Sequence, residues 1–298
     1  MKRIYPYFSQ NPLDRLDQIR RDDKKIEKLR DSDSTLFLLF NKDHIGVDEK
    51  NNTCMFTNDE LGEYNIDSAE VVLLGAHENK NYFAINISVN NETPLSFISL
   101  REFVTLEYLS EGMFGVLAQA NAVLNWHNNH KFCSFCGKET TVMQAGWRRD
   151  CASCTREHFP RTDSVVIMLV TYGEYCLVGR GVNFKEGRYS CLAGYVESGE
   201  TLEDASRREL YEEAGVIGLE VDYMLSQPWP FPSTLMIGMH VHAKSQELKL
   251  DSHEIEDAKW VHKKDIKAVL NGEDGYDFTL TDKIAIGRNL LQLWVNEN

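Results

Sequence analysis

The sequence predicts an α+β multidomain chain: a β-rich N-terminal domain, a four-cysteine zinc ribbon and a C-terminal α/β/α sandwich. Three observations carry that reading. Short aromatic and β-branched runs punctuated by Asn-Asn turns fill the first third of the chain. Two CxxC pairs, Cys133/Cys136 and Cys151/Cys154, stand in the middle, separated by fourteen residues. From Ser164 onward strand-like runs alternate with helical stretches, the pattern of a mixed sheet between helix layers. The expected boundaries are 1–105 for the N-terminal domain, 106–130 for a linking helix, 131–160 for the ribbon and 161–298 for the sandwich.

Bulk composition narrows the function classes. The 298 residues are 42% hydrophobic, enough for a sizeable core and too many for a disordered chain. A net charge of −14, from 46 acidic and 32 basic residues, speaks against an extended non-specific grip on nucleic-acid backbone, though not against a local basic pocket. The longest apolar run, 165–170, is far too short to span a bilayer, so no membrane partner is expected. The start MKRIYPYFSQ has no apolar signal region and the end Val-Asn-Glu-Asn offers no receptor-read address, which gives a cytoplasmic expectation. Seven cysteines, four of them in CxxC pairs, fit a reducing compartment and metal binding better than a disulfide framework. Cys176 and Cys191 sit in strand-like apolar surroundings and are expected to be buried thiols.

Taken in order, Leu13, Leu16, Ile19, Ile26 and Leu29 recur at helical spacing and predict one or two short helices. Residues 35–40, 71–75 and 82–89 read as strands, with turns at Asn51-Asn52 and Asn90-Asn91. Nothing in this part announces chemistry. A long helix is expected over 107–126, with Leu109, Met113, Leu117 and Leu124 on its apolar side. The two CxxC knuckles then place four thiolates for tetrahedral Zn²⁺, and Gly137 eases the first turn. Such a closed site is structural, because no position is left for water. A redox CxxC is the alternative, and it needs only one pair. Trp147, Arg148, Arg149, Arg156 and Arg161 make the ribbon locally basic; they suit a nucleotide or RNA end, or are ordinary ribbon surface.

In the last segment strands are expected at 165–170, 175–179, 189–196, 223–227, 235–243 and 260–261, and helices at 263–270 and 282–295. Between them lies GYVESGETLEDASRRELYEEAGV. Thr201 and Asp204 read as a capping box, so a helix begins near Leu202, and Gly215 is a good C-terminal stop. Leu202, Ala205, Leu210 and Ala214 supply its buried side. Glu209, Glu212 and Glu213 share one face at i, i+3 and i+4. Crowded carboxylates repel one another unless a counter-charge joins them, and hard cations such as Mg²⁺ or Mn²⁺ prefer oxygen ligands. The plainer reading is a solvated acidic helix face. Arg208 is expected to brace the preceding loop by a fork to Glu200.

The spacing of Gly194, Glu200, Arg208-Glu209-Leu210, Glu212-Glu213 and Gly215-Val216 resembles the Nudix box, about nine identities over 23 residues. That resemblance implies a metal-binding loop–helix–loop in an α/β/α sandwich that hydrolyses nucleoside diphosphates linked to another moiety. Some ten residues later comes Ser-Gln-Pro-Trp-Pro-Phe-Pro, starting at Ser226. Its prolines fix φ and remove amide donors, so it cannot be a central strand; its aromatics wall a pocket or pack into the core. After a Nudix box and a zinc ribbon, this loop resembles the NADH pyrophosphatase (NudC-type) branch.

The resemblance implies site residues. Glu209, Glu213, the carbonyl of Ala193 and Glu254 would hold Mg²⁺ or Mn²⁺, with Glu256 the rival of Glu254. Glu209, Glu212 and Glu213 would be catalytic, with Glu212 or Glu213 taking the proton from water. Gln227, Pro228, Trp229, Pro230, Phe231, Pro232, Ser233 and Thr234 would contact the dinucleotide, Tyr195 and Phe159 would stack on it, and Arg101 and Ala285 would touch it further. Gly146 departs from the acidic residue the pattern has there, and Phe159 from a tyrosine. The implied reaction turns NADH or NAD⁺ into AMP and nicotinamide mononucleotide, and removes NAD caps from RNA 5′ ends. A homodimer is the implied assembly. An ADP-ribose-type hydrolase leaves the ribbon and proline loop unexplained, and a non-catalytic nucleotide sensor would need no intact carboxylates.

Overall fold

A computed structural model describes residues 4–63, 68–87, 95–106, 109 and 111–297. Contacts divide the chain into two compact units, one comprising Phe8–Thr162 and Trp229–Ser233, the other Met1–Tyr7, Asp163–Pro228 and Thr234–Asn298.

The first unit opens with a 3₁₀ turn, Asp17–Ile19, and helix α1, Asp23–Arg30, whose Asp22 cap accepts from the Lys25 amide. Strands β1 (Thr35–Asn41), β2 (His44–Val47) and β3 (Met55–Phe56) follow, then α2 (Asn58–Glu63), β4 (Ser68–His77), β5 (Lys80–Ile87), β6 (Ser96–Ser99), α3 (Leu100–Phe103) and α4 (Glu111–Asn129). The sheet order is β4-β5-β1-β2-β6, with β3 also on β1; β1 and β5 run parallel. Phe37, Leu39, Phe56 and Phe83 fill the core. Helix α4 packs on β4, β1 and β5 and is buried nearly all round, from Phe114 to His127.

That helix differs from its expected span. It begins at Glu111, so Leu109 precedes it, because residues 103–106 are spent on turns closed by the amides of Thr105 and Leu106. It ends at Asn129. Glu107, Tyr108 and Ser110, expected in the helix, Ser88 and Val89, expected in a strand, and the Asn90-Asn91 turn lie outside the described residues.

The ribbon strands β7 (Thr141–Met143), β8 (Arg148–Asp150) and β9 (Glu157–His158) form a small antiparallel sheet. Two of the ribbon residues read as nucleotide-facing or as plain surface have partners in the N-terminal sheet. Trp147 donates its indole N–H to the Leu73 carbonyl at 2.7 Å. Arg149 is buried, pairs with Glu70 at 2.7 Å, and also reaches His127 Nδ1 and Thr140. His127 in turn donates from Nε2 to the Gly146 carbonyl at 2.8 Å. Gly146 has φ +94, and a Cβ there would meet Val72 at 2.7 Å, which explains the glycine in place of an acid. These contacts fasten the ribbon to the N-terminal sheet. Arg149→Ala, which strands Glu70 in the interior, is expected to cost about 3–5 kcal/mol. Urea unfolding measures it, and a loss indistinguishable from zero would mean the pair is hydrated.

The second unit holds β10 (Asp163–Tyr172), β11 (Tyr175–Gly181), β12 (Arg188–Tyr189), β13 (Leu192–Tyr195), α5 (Leu202–Ala214), β14 (Gly218–Trp229), β15 (Thr234–Ala243), β16 (Ile255–His262), α6 (Lys263–Leu270), β17 (Thr279–Leu280) and α7 (Ile286–Val295). Its main sheet runs β14-β15-β10-β11-β16, with β13 also on β10. This is the wiring of the first sheet strand for strand, down to the parallel pair, here β10 and β15. One face carries α5 over Val166, Met168, Val170, Met239 and Val241; the other carries α6 and α7 over Ile167, Leu169 and Val178. Cys176 and Cys191 are buried there, as expected, and burial pushes both thiols up, Cys191 to about 12.

Four elements depart from expectation, the first being β14, which starts at Gly218 rather than 223. The strand expected over 189–196 is broken, because Tyr189 pairs with Leu280, Ser190 bridges to Gly179, and only Leu192–Tyr195 joins β10. Helix α7 starts at Ile286, four residues late: Asp282 and Ala285 close a turn, and Ala285 is extended. Strand β16 starts at Ile255 rather than 260, paired along β11. Strand β14 runs into Pro228, which an outermost strand tolerates because its free edge needs no amide.

Candidate active site and zinc centre

Helix α5 is the frame of the acidic site. The Thr201 hydroxyl caps it by accepting from the Asp204 amide at 3.2 Å, and Gly215 closes it at φ +68. Ala205, Leu210 and Ala214 are fully buried and Leu202 partly so, which turns Glu209 and Glu213 toward the protein and leaves Glu212 exposed. Arg208 serves four partners. Its Nε and Nη2 fork onto Glu200 at 2.6 and 2.9 Å, Nη2 also reaches the Tyr195 carbonyl, and Nη1 reaches Glu209 and Glu212, both at 2.9 Å. The Arg208 fork, helped by the Glu197 amide, holds the Glu200 carboxyl down at about 2. The expected brace is therefore present and also restrains two of the three helix carboxylates.

Glu213 is different. It is 6% exposed, and its Oε2 is buried without a hydrogen-bond partner. Burial first, then the charges of Glu209, Glu254 and Glu212, push its carboxyl up to about 8. Burial pushes Glu209 up as well. An orphaned carboxylate among like charges is a seat for a cation, and its all-oxygen donors suit a hard divalent ion. Such an ion would have to draw Glu209 from Arg208, since among the described residues only the four cysteines bring three or more ligand atoms within 4.8 Å of one another. Glu254 is exposed, its charge felt by both Glu209 and Glu213. Its rival Glu256 is engaged by Arg180 at 3.6 Å.

Gly194 completes the cradle. It lies on β13 one residue beyond Ala193, and a Cβ built on it would stand 1.9 Å from Glu209 Cδ. Gly194→Ala is expected to expel the Glu209 carboxyl and weaken Mn²⁺ binding by roughly 10–100-fold, the usual loss for a misoriented ligand. Calorimetric Mn²⁺ titration reads this directly; unchanged affinity would remove Glu209 from the ligand set.

The remaining expected substrate residues divide between the units. In the α5 unit, Tyr195 is 63% exposed, Thr234 opens β15 opposite Asp163, and half-buried Ala285 precedes α7. Gln227 has another place than the one expected. It is 0% exposed; its Nε2 donates to the carbonyls of Tyr7 and Ile284, and its Oε1 accepts from the Ile286 amide at 2.9 Å. It thus caps α7 from a distance, and no atom of its amide is left for a ligand. In the other unit, Phe159 is 58% exposed, and the Arg101 guanidinium lies over Phe231 at 4.2 Å and Trp229 at 5.4 Å. Phe8 packs edge-on against both rings, and the Pro230 carbonyl accepts from Asn121 at 2.8 Å. Phe8 and Asn121 carried no local signal in the sequence.

The zinc centre is well formed. Cys133 and Cys154 Sγ lie 3.5 Å apart, as do those of Cys136 and Cys151, and no disulfide forms. Four sulfurs about 2.3 Å from one ion are separated by similar distances. The amides of Cys136 and Phe135 hold the Cys133 thiol down at about 6, ready to bind metal. Gly137, at φ +71, closes the first knuckle onto the Cys133 carbonyl.

Three family models match successive stretches of the chain. A model described as an NADH pyrophosphatase-like rudimentary NUDIX domain matches residues 34–126, an NADH pyrophosphatase zinc ribbon domain matches 128–159, and a NUDIX domain matches 160–280. Over 200 residues the chain is 44% identical to the human NAD-capped RNA hydrolase NUDT12, covering 64% of this chain and 43% of that one. Over 267 residues it is 33% identical to the human NAD(P)H pyrophosphatase NUDT13, mitochondrial, covering 80% and 75%. With the NAD-capped RNA hydrolase NudC of Stutzerimonas stutzeri it shares 35% over 190 residues, covering 63% and 68%. The chain spans less than half the length of the NUDT12 relative. Among the described residues no helix is long and apolar enough to cross a membrane.

Proposed function

The chain belongs to the NADH pyrophosphatase group of Nudix hydrolases, and from that premise we propose that it cleaves the pyrophosphate bridge of NAD(H), giving AMP and nicotinamide mononucleotide. The observation that carries the proposal is the unpartnered, buried Glu213 carboxylate beside Glu209 under Gly194. We extend it to NAD caps on RNA 5′ ends, where the same bridge occurs and only one ribose carries a chain. The names of the NUDT12 and NudC relatives support that extension.

Glu209, Glu213, the Ala193 carbonyl and Glu254 would hold Mg²⁺ or Mn²⁺. Bound there, such an ion would neutralise the diphosphate and lower the pKa of an attacking water. Glu212 or Glu213 takes the proton from that water, and Arg208 keeps the loop and the helix in register. Tyr195 and Phe159 stack on the dinucleotide. Arg101, Pro228 to Thr234 and Ala285 contact it further, while Gln227 is a positioning residue. The segments 1–105, 106–130, 131–160 and 161–298 serve as N-terminal domain, linking helix, ribbon and catalytic domain of a cytoplasmic homodimer. Incubation with NADH and Mn²⁺, followed by chromatography for AMP, tests the activity, and NAD-capped RNA run in parallel ranks the two substrates. No AMP above the protein-free control ends the proposal.

A further inference from the structure

Strand β15 alternates cleanly. Ile237, Met239 and Val241 face α5, so Gly238, His240 and His242 face the other side of the sheet. Helix α7 covers that side at Gly238, where Leu290 and Ile286 would meet an added Cβ at 2.8 and 3.4 Å. Farther along, the strand carries two imidazoles, His240 half-buried and His242 exposed. Their ring centroids lie 4.3 Å apart, tilted by 41°. Thr171, directly across from His242 on β10, puts its hydroxyl oxygen 2.8 Å from His240 Nε2 and 3.5 Å from His242 Nδ1. One nitrogen of each ring therefore faces the Thr171 hydroxyl, which an ion held by both rings would have to displace.

We propose that His240 and His242 form a two-imidazole chelate for a borderline divalent ion such as Zn²⁺, on the sheet face opposite the α5 glutamates and separate from the cysteine ribbon. Imidazole nitrogens select Zn²⁺, Ni²⁺ or Cu²⁺ over the hard Mg²⁺ that carboxylates favour. A ligand imidazole must be unprotonated. Two protein ligands leave the other coordination positions to water. The glutamates lie across the thickness of the sheet, so the two sites can fill independently.

The 298-residue chain with its ribbon already loaded is titrated with Zn²⁺ in excess Mg²⁺, which occupies the carboxylates, and followed by ¹H–¹⁵N spectra of the histidine rings. The ring nitrogens of His240 and His242 should shift together over one equivalent. His240→Gln should abolish the shift of His242, and His242→Gln that of His240, with melting temperature and Mg²⁺-supported NADH hydrolysis unchanged. Shifts confined to other histidines overturn the proposal, as does a response of either ring that survives loss of its neighbour.

Discussion

Glu213→Gln is expected to lower kcat/KM for NADH by roughly 10²–10⁴-fold, the range for loss of a group central to proton transfer or metal binding. It should leave the fold intact, because glutamine fills the same space as the protonated carboxyl. Its effect on stability has a defined sign. In the metal-free protein Glu213 titrates near 8 against an ordinary value of 4.5. Between those values the folded chain retains a proton that the unfolded chain has released, so this group's contribution makes stability fall as pH rises from about 4.5 to about 8 and then level off. The glutamine variant lacks that contribution. Its melting temperature relative to the parent should therefore climb with pH across the window when metal is absent. Added Mn²⁺ should stabilise the parent and hardly move the variant. Calorimetry with and without Mn²⁺ measures both effects; parental turnover in the variant would break the assignment.

Cys151→Ser should have the largest structural effect. Cys151 is buried, and its carbonyl and amide tie the second knuckle to Thr155 and Arg156. Structural zinc in small domains contributes about 10–16 kcal/mol of binding free energy that is also folding free energy. The ribbon, with strands of two and three residues, has little core of its own to replace it. The expected result is loss of bound zinc and failure to accumulate as folded protein. Zinc content by mass spectrometry and far-UV circular dichroism check it. A soluble variant with full zinc and an unchanged melting curve would overturn the structural role.

Local chemistry was legible. Thr201 and Gly215 fixed both ends of α5 because caps are decided by a few neighbouring residues, and the CxxC spacing located the zinc ligands for the same reason. The like wiring of the two sheets was not legible, since α2 reads NDELGE where α5 carries its Arg-Glu and Glu-Glu pairs, and topology leaves no imprint on composition. Arg149 looked like ligand-facing basic surface because its partner Glu70 stands 79 residues away. The break at Ser190 and Cys191 depends on which strands lie alongside, and no run of apolar residues records that. The late start of α7 follows from an acceptor on Gln227, 59 residues earlier.

That acceptor has a practical corollary. The single amide of Gln227 knots together the backbone at Tyr7, at Ile284 and at the first residue of α7. Trimming the chain to begin after Tyr7 would strip one strand from that knot and loosen the seat of a helix nearly three hundred positions downstream. Terminal deletions or bulky tags placed there are perturbations of the unit that carries α5 and α7, not neutral handles.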